Sequence, residues 1–275
     1  MSKYHEVVYG NYPKSEFPKT LVEELLDRHW PISSKYKNYR EFLISSSAQK
    51  TMALDVGCGD CSYLKKGFWA FHFASGVDAN IVYNRCMVGG KIEESESYFV
   101  NPLDFNKDVL PFLDNTYDIV FSKSTIEHVA NTDHFLSELY RVLKPGGILM
   151  ILTPAWEYNY KDFYNDYTHV KPFHRKGLQD ALKINGFSGV NVEYLYYLPW
   201  LWRRPYLLPL VKFAALFYRL KWQDKEETKH RVNIRFSQEI QLLAIAGKLQ
   251  KKVEAPLCMQ GNVCFMNPYL YKCGG

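Results

Sequence analysis

The sequence predicts a doubly wound α/β fold, a mostly parallel sheet with helices on both faces. Three observations carry this. From residue 52 onward, short apolar runs alternate with segments of helical period, as strand–helix–strand units do. The first run, "MALDVG" (52–57), passes directly into glycines, where a strand turns toward its helix. A later run, "ILMILTP" (148–154), is apolar without alternation, as expected of a strand covered on both faces.

The elements follow in chain order. Residues 1–50 read as an N-terminal helical cap. "PKTLVEELLDRHW" places Leu21, Leu25, Leu26 and Trp30 on one face before Pro31, and Tyr36, Tyr39, Phe42 and Leu43 repeat the spacing. Strands are expected at 52–57, at 73–79 ("FASGVDA", ending at Asp78), at 97–105 ("SYFVNPLDF", ending near Asp104) and at 117–124 ("YDIVFSKS"). A helix over 132–144 has Thr132 as its expected N-cap and Phe135, Leu136, Leu139, Val142 and Leu143 as its stripe; Pro145-Gly146-Gly147 stops it. The fifth strand, 148–154, comes next. A helix over 175–187 closes at Asn185-Gly186, and "GVNVEYLYYL" (189–198) is the sixth strand. An apolar, aromatic and basic insert, 198–237, interrupts the regularity before a last strand, "IQLLAIAGK" (240–248). The core domain spans 51–253, leaving a Cys-bearing tail, 254–275.

Composition bounds the function. With 47% hydrophobic and 23% charged residues, the 275-residue chain reads as an ordinary globular protein. A net charge of +5 is too mild to imply a nucleic-acid partner, and none is expected. No apolar run of signal-peptide length opens the sequence, so a cytoplasmic, reducing location is expected for its six cysteines. Cys58 and Cys61 form a C-x-x-C, but no second knuckle lies at matching spacing. They read as two small thiols in a tight turn, and no metal site is expected.

The stretch "LDVGCGDCSYL" (54–64) sits where the first strand meets its helix, the place at which open parallel sheets bind ligands. Gly57 and Gly59 let the backbone approach a ligand closely. A dinucleotide fingerprint needs a third glycine, and Ser62 stands there, which disfavours a nicotinamide enzyme. Asp78, at the end of the second strand, is placed to accept hydrogen bonds from both hydroxyls of a ribose; the alternative is a turn former before Ala79-Asn80.

Together "LDVGCGDCSYL", "GVDAN", "NPLDFNKDVLPFLDNTYDIVFSKSTIEHV" and "FLSELYRVLKPGGILMILTP" resemble a class I S-adenosylmethionine-dependent methyltransferase of the type 11 kind, over roughly residues 50–190. The resemblance implies a Rossmann-like seven-stranded sheet whose last strand is antiparallel, and S-adenosyl-L-methionine as cofactor. It implies Asp55, Gly57 and Gly59 around the methionine part and Asp78, with Ala79 beside it, at the ribose. It further implies Asp104 and Phe105 at the adenine, and Ser122 and Lys123 bordering the cofactor. Cys61 departs from the family's further glycine. A non-catalytic binding subunit therefore stays open beside the enzyme.

Methyl transfer to a hydroxyl also needs a base, and imidazole suits that role. His128 follows the fourth strand, and His169 and His174 follow the fifth. His169 is the expected base with Asp166 orienting it and His128 as rival; the alternative is a loop anchor in which His169 bonds to backbone. The run "D-x-T-H-x-x-P-F" (166–173) resembles methyltransferases of glycan and lipopolysaccharide synthesis, which implies a sugar, glycan or lipid-linked acceptor. A quinone-like or other small aromatic acceptor is the alternative. Residues 199–222 cluster Trp200, Trp202, Tyr206, Phe213, Phe217 and Trp222 around Arg203 and Arg204. That composition suits a membrane-surface contact, a lid over the site or a homodimer contact.

Overall fold

The computed structural model describes residues 25, 51–59, 61, 73–88, 91–99, 101–196, 205–207, 209–210, 213 and 240–249. Apart from Leu25, which is helical and buried, the expected N-terminal cap lies outside the described residues. So do the tail at 254–275 and most of the 198–237 insert.

Among the described residues eight strands form one sheet: β1 Met52–Val56, β2 Phe73–Asp78, β3 Ile81–Val88, β4 Lys91–Tyr98, β5 Tyr117–Lys123, β6 Leu143–Pro154, β7 Ser188–Tyr196 and β8 Ile240–Gly247. Their spatial order is β4-β3-β2-β1-β5-β6-β8-β7. β2, β1, β5 and β6 run parallel at the centre, and the last strand, β8, runs antiparallel between β6 and β7. The fold is the expected Rossmann-like α/β sheet, with one strand more than the seven expected.

The extra strand has a local cause. Asp78 pairs with Ile81, so Ala79-Asn80 is a two-residue turn and β2 folds straight back into antiparallel β3. β3 then pairs antiparallel with β4 in register from Ile81–Tyr98 to Val88–Lys91. The strand expected at 97–105 therefore ends at Tyr98, and Asp104 lies in a turn beyond it rather than at a strand end. Among the described residues β4 is the sheet edge, and its exposed Glu93, Glu94 and Glu96 discourage pairing with another chain.

Helix α1, Thr132–Val142, covers the central strands with Phe135, Leu136, Leu139 and Val142, the expected stripe. Its N-cap is Asn131, not Thr132: the Asn131 side chain accepts from His134 N, the position an N-cap serves. The helix ends at Val142 because Leu143 is already extended, so β6 begins there and absorbs Pro145-Gly146-Gly147. A single turn, α2 (Trp156–Asn159), follows β6, and α3 (Arg175–Ile184) closes at Asn185 as expected.

One polar knot ties α1 to the segment leading into β5. Arg141 donates to both oxygens of Glu138 at 2.8 Å each, to Asp114 at 2.7 Å, and to the carbonyls of Leu110 and Phe112. Leu110 N also donates to Glu138 at 2.8 Å. Burial acts to raise the Glu138 carboxyl, but the Arg141 and Leu110 hydrogen bonds outweigh it and hold it below the usual range.

Glu138→Gln is expected to cost about 1.5–3 kcal/mol, the worth of hydrogen bonds to a charged group. A folded pKa below the unfolded one means that this stabilisation is full above the ordinary glutamate range and is lost as pH falls through the depressed value. Urea melts of both proteins across that range should therefore converge at low pH. Gly177 offers the opposite test: it lies in the exposed part of α3, and a Cβ there would meet nothing within 4 Å. Gly177→Ala should raise stability by about 0.5–1 kcal/mol at unchanged urea slope.

Candidate active site

The loop after β1 is built by backbone geometry. The Val77 carbonyl at the end of β2 accepts from Gly57 N at 2.7 Å and Cys58 N at 3.1 Å, folding the loop over the strand ends. Gly57 takes φ +80, and a Cβ on it would fall 1.9 Å from Thr125 Oγ1. That position therefore tolerates no side chain, on conformation and on space alike. Thr125 Oγ1 in turn lies 3.3 Å from the Val56 carbonyl and 3.2 Å from that of Lys123. Asp55 is buried in β1, flanked by Gly76 and Phe121.

Asp78 clamps this loop. Its Oδ2 accepts from Gly59 N at 2.9 Å and its Oδ1 from Ala79 N at 2.7 Å. A carboxylate oxygen has two acceptor positions, so each retains one for a ligand hydroxyl. The neighbouring thiols are free and buried, with Sγ atoms 3.3 Å apart and Cys61 N bonded to the Cys58 carbonyl. The contact with Cys61 and burial push the Cys58 thiol up, which favours its protonated form.

Leu103 N donates to the Ala79 carbonyl at 2.6 Å, which sets the 104–108 turn beside Asp78. Asp104 is turned into its own turn. It accepts from Asn106 N and Nδ2 and lies 3.6 Å from Lys107 Nζ, and the Asn106 N–H above all holds its carboxyl below the usual range. Phe105 stacks obliquely on Phe135 at 5.7 Å. Ser122 is fully buried in β5, and its Oγ has no hydrogen-bond partner among the described residues. Lys123 ends the strand with Nζ 3.5 Å from Ser124 Oγ.

Beyond β5 a short turn, Ile126–His128, faces the loop that follows β6. The Glu127 carbonyl accepts from Val170 N at 2.9 Å and Lys171 N at 3.0 Å, stapling the two loops together. Asp166 was expected to orient His169. Its Oδ2 stands 4.0 Å from His169 Nε2, and its Oδ1 is instead held by Thr168 N at 3.0 Å and Thr168 Oγ1 at 2.6 Å. Thr168 Oγ1 lies 2.8 Å from His128 Nδ1. The chain of contacts thus runs Asp166–Thr168–His128. His169 Nδ1 meets the Phe163 carbonyl at 2.6 Å, the backbone anchor weighed as its alternative. His174 stands apart, exposed at the start of α3 and paired with Glu157 at 3.2 Å.

These bonds assign the tautomers. The Thr168 hydroxyl spends its proton on Asp166, so His128 Nδ1–H must donate to it; a carbonyl can only accept, so His169 Nδ1–H donates to Phe163. In the neutral form of either ring the lone pair therefore lies on Nε2. Burial, then the neighbouring His169, lowers the His128 pKa, which keeps the ring neutral. Burial raises the Asp166 carboxyl, but its two bonds from Thr168 outweigh this and keep it ionised. Glu127 is wholly buried; desolvation pushes its carboxyl up to about 7, and one oxygen accepts from Thr153 at 2.9 Å.

Thr168 and Thr125 are the members that sequence reasoning missed. An Asp followed two residues later by Thr is a turn signature in which the carboxylate holds the next N–H groups, and it was visible in "DYTH". The reach from Thr168 to His128 had no such signal.

Residues 54–151 match the family model described as a methyltransferase domain. That segment carries the glycine loop, Asp78 and His128. It is a class I S-adenosylmethionine-dependent methyltransferase domain. Over 87 residues the chain is 33% identical to phosphoethanolamine N-methyltransferase 2 of Caenorhabditis elegans, covering 31% of this chain and 20% of that one. It is 31% identical over 119 residues to a ubiquinone/menaquinone biosynthesis C-methyltransferase of Cereibacter sphaeroides, covering 41% and 45%. An uncharacterized protein of Methanocaldococcus jannaschii matches along more of its length, 29% identical over 80% of this chain and 90% of that one. The chain thus spans less than half of the two relatives that carry enzyme names. In fold, the methyltransferase domain resembles a Haemonchus contortus phosphoethanolamine N-methyltransferase 2 solved with phosphomonomethylethanolamine and S-adenosylhomocysteine. The TM-score is 0.51 at 17% identity, over 90% of this chain and 57% of that one.

Gly57→Ala is the sharpest test of the loop. Left-handed backbone on a non-glycine residue costs about 1–3 kcal/mol, and displacement of Thr125 adds to it. The melting temperature should fall by several degrees, and restoring space with Thr125→Ser should recover little, since Oγ1 remains.

Proposed function

We propose that this chain transfers the methyl group of S-adenosylmethionine to a hydroxyl of a small molecule, in a sugar, glycan or lipid-linked saccharide. The observation that carries the reading is the neutral His128, its Nδ1 tied through Thr168 to an ionised Asp166 while Nε2 keeps its lone pair. His128 also adjoins the glycine loop: its N–H donates to the carbonyl of Thr125, the residue that touches Gly57. Base and cofactor loop are thereby neighbours.

The residues fit the cofactor. Asp78 retains acceptor positions for two ribose hydroxyls, and Ser122 offers a buried hydroxyl with no partner among the described residues. Asp55, Gly57 and Gly59 would border the methionine part, and Ala79, Asp104, Phe105 and Lys123 the nucleoside. S-adenosylmethionine supplies an electrophilic methyl on sulfur. The protein aligns the acceptor, an effect worth about 7–11 kcal/mol, and His128 Nε2 takes the hydroxyl proton while Asp166 stabilises the imidazolium through Thr168. His169, the base expected from sequence, sits against His128 with ring centroids 4.7 Å apart and shapes its surroundings.

A second reading keeps the cofactor and replaces the hydroxyl with a carbon of a quinone-like acceptor. The C-methyltransferase named among the relatives favours it. A peripheral, cytoplasmic-side membrane contact through 199–222 accords with either acceptor. Tyr206, Leu210 and Phe213 are exposed there, and no helix among the described residues is long and apolar enough to cross a membrane.

Three measurements test this. Calorimetry should find S-adenosylmethionine bound at least tenfold more weakly by Asp78→Ala; equal affinity removes Asp78 from the site. His128→Ala should lower turnover about 10²–10⁴-fold at unchanged cofactor affinity, with Thr168→Val following it in part and His169→Ala less. Turnover that survives in His128→Ala, or a methyl found on carbon in the product, replaces the hydroxyl reading with the second one. Flotation with anionic liposomes should retain the protein at low salt and release it at high salt.

A further inference from the structure

We propose that Glu127, His128 and His169 bind one divalent first-row transition-metal cation beside the candidate cofactor loop. One donor atom from each lies within 4.8 Å of the other two. In a tetrahedral shell, ligands about 2.0–2.2 Å from the ion stand about 3.3–3.6 Å apart, so the widest of these separations has to close by about 1 Å on binding. The tautomers assigned above leave Nε2 of both histidines with a lone pair, while each Nδ1–H is held by an oxygen, Thr168 Oγ1 or the Phe163 carbonyl. That is the arrangement in which a ligating imidazole is fixed by its other nitrogen.

A second, independent observation points the same way. Glu127 is wholly buried, and Oε1 has no hydrogen-bond partner among the described residues although Oε2 is held by Thr153. A buried oxygen of this kind is costly unless something meets it. The scaffold is already joined, because Val170 N and Lys171 N bond the Glu127 carbonyl and so fix the loop bearing His169 against the turn bearing Glu127 and His128. Asp166, 4.0 Å from His169, adds a second negative charge beside the set.

The donor set selects the cation. Two imidazoles and one carboxylate suit manganese, iron, cobalt, nickel or zinc, not magnesium or calcium, which prefer all-oxygen shells. Three protein ligands leave a coordination position open. This rests on the methyltransferase reading of the same site but displaces His128 as its base: a cation there would polarise the acceptor hydroxyl directly, with the His128 lone pair spent on coordination rather than on a proton. The expectation of no metal site rested on the cysteine pair. This cluster comes from two loops that only the fold brings together.

The test uses the untagged full chain, stripped with a chelator and titrated with Co²⁺ in the absence of cofactor and acceptor. The expected result is one equivalent bound with weak visible d–d bands, displaced by Zn²⁺, and at least tenfold weaker in Glu127→Gln and in His169→Ala. Cys58→Ser with Cys61→Ser should leave the bands unchanged. Unaltered affinity in Glu127→Gln with native near-ultraviolet circular dichroism overturns the proposal, as does an intense thiolate-to-cobalt charge-transfer band. S-adenosylmethionine affinity, measured separately in cation-free protein, tests the methyltransferase reading, so either can fail alone.

Discussion

The site depends on one missing side chain. At Gly57 the chain leaves β1 in a left-handed conformation and leaves no room for a Cβ beside the Thr125 hydroxyl. Because Thr125 begins the turn after β5, this single contact sets the distance between the cofactor loop and the segment bearing Glu127 and His128. The Val77 carbonyl and the Asp78 carboxylate then hold the loop from the other side. Three strand ends are locked to one another before any ligand enters, which is the preorganisation that a displacement reaction rewards.

A second layer of order lies between loops rather than strands. The Glu127 carbonyl binds the backbone at 170–171, and Thr168 bridges Asp166 to His128 across the same gap. Aromatic rings close round this junction: Phe163 lies 4.5 Å from His169, and Trp156 meets Phe163 edge-on at 5.4 Å. Apolar surroundings explain why Asp166, Thr168 and His128 pair with one another. In a site of low dielectric an unmet donor or acceptor is costly, and each bond made there also specifies position.

Much of this was legible in the sequence where the signal is periodic or local. The apolar runs at 52–57, 117–124 and 148–154 became β1, β5 and β6, and the Phe135–Val142 stripe became the buried face of α1, because burial on a sheet demands those periods. The glycine loop and Asp78 were legible because they sit at a strand end. The β3–β4 hairpin was not: its charged edge strand carries no apolar alternation, and Ala79-Asn80 lacks the glycine that usually marks a two-residue hairpin turn. Asp104 looked like a strand-end carboxylate only while the third strand was expected to reach it. The second partnership of Asp166 was not legible for a similar reason. Spacing along the chain suggested His169, whereas Thr168 carries its influence to a histidine on another loop.

The placement of β8 has a consequence for how the chain is made. Among the described residues β7 pairs with β8 alone, and β6 reaches β7 only through it. A ribosome must therefore add everything from residue 197 to residue 247 after β7 has emerged before two largely apolar strands find their shared neighbour. During that interval the nascent domain carries open strand edges on both, the state in which chaperones recognise their clients and in which neighbouring copies stick to one another.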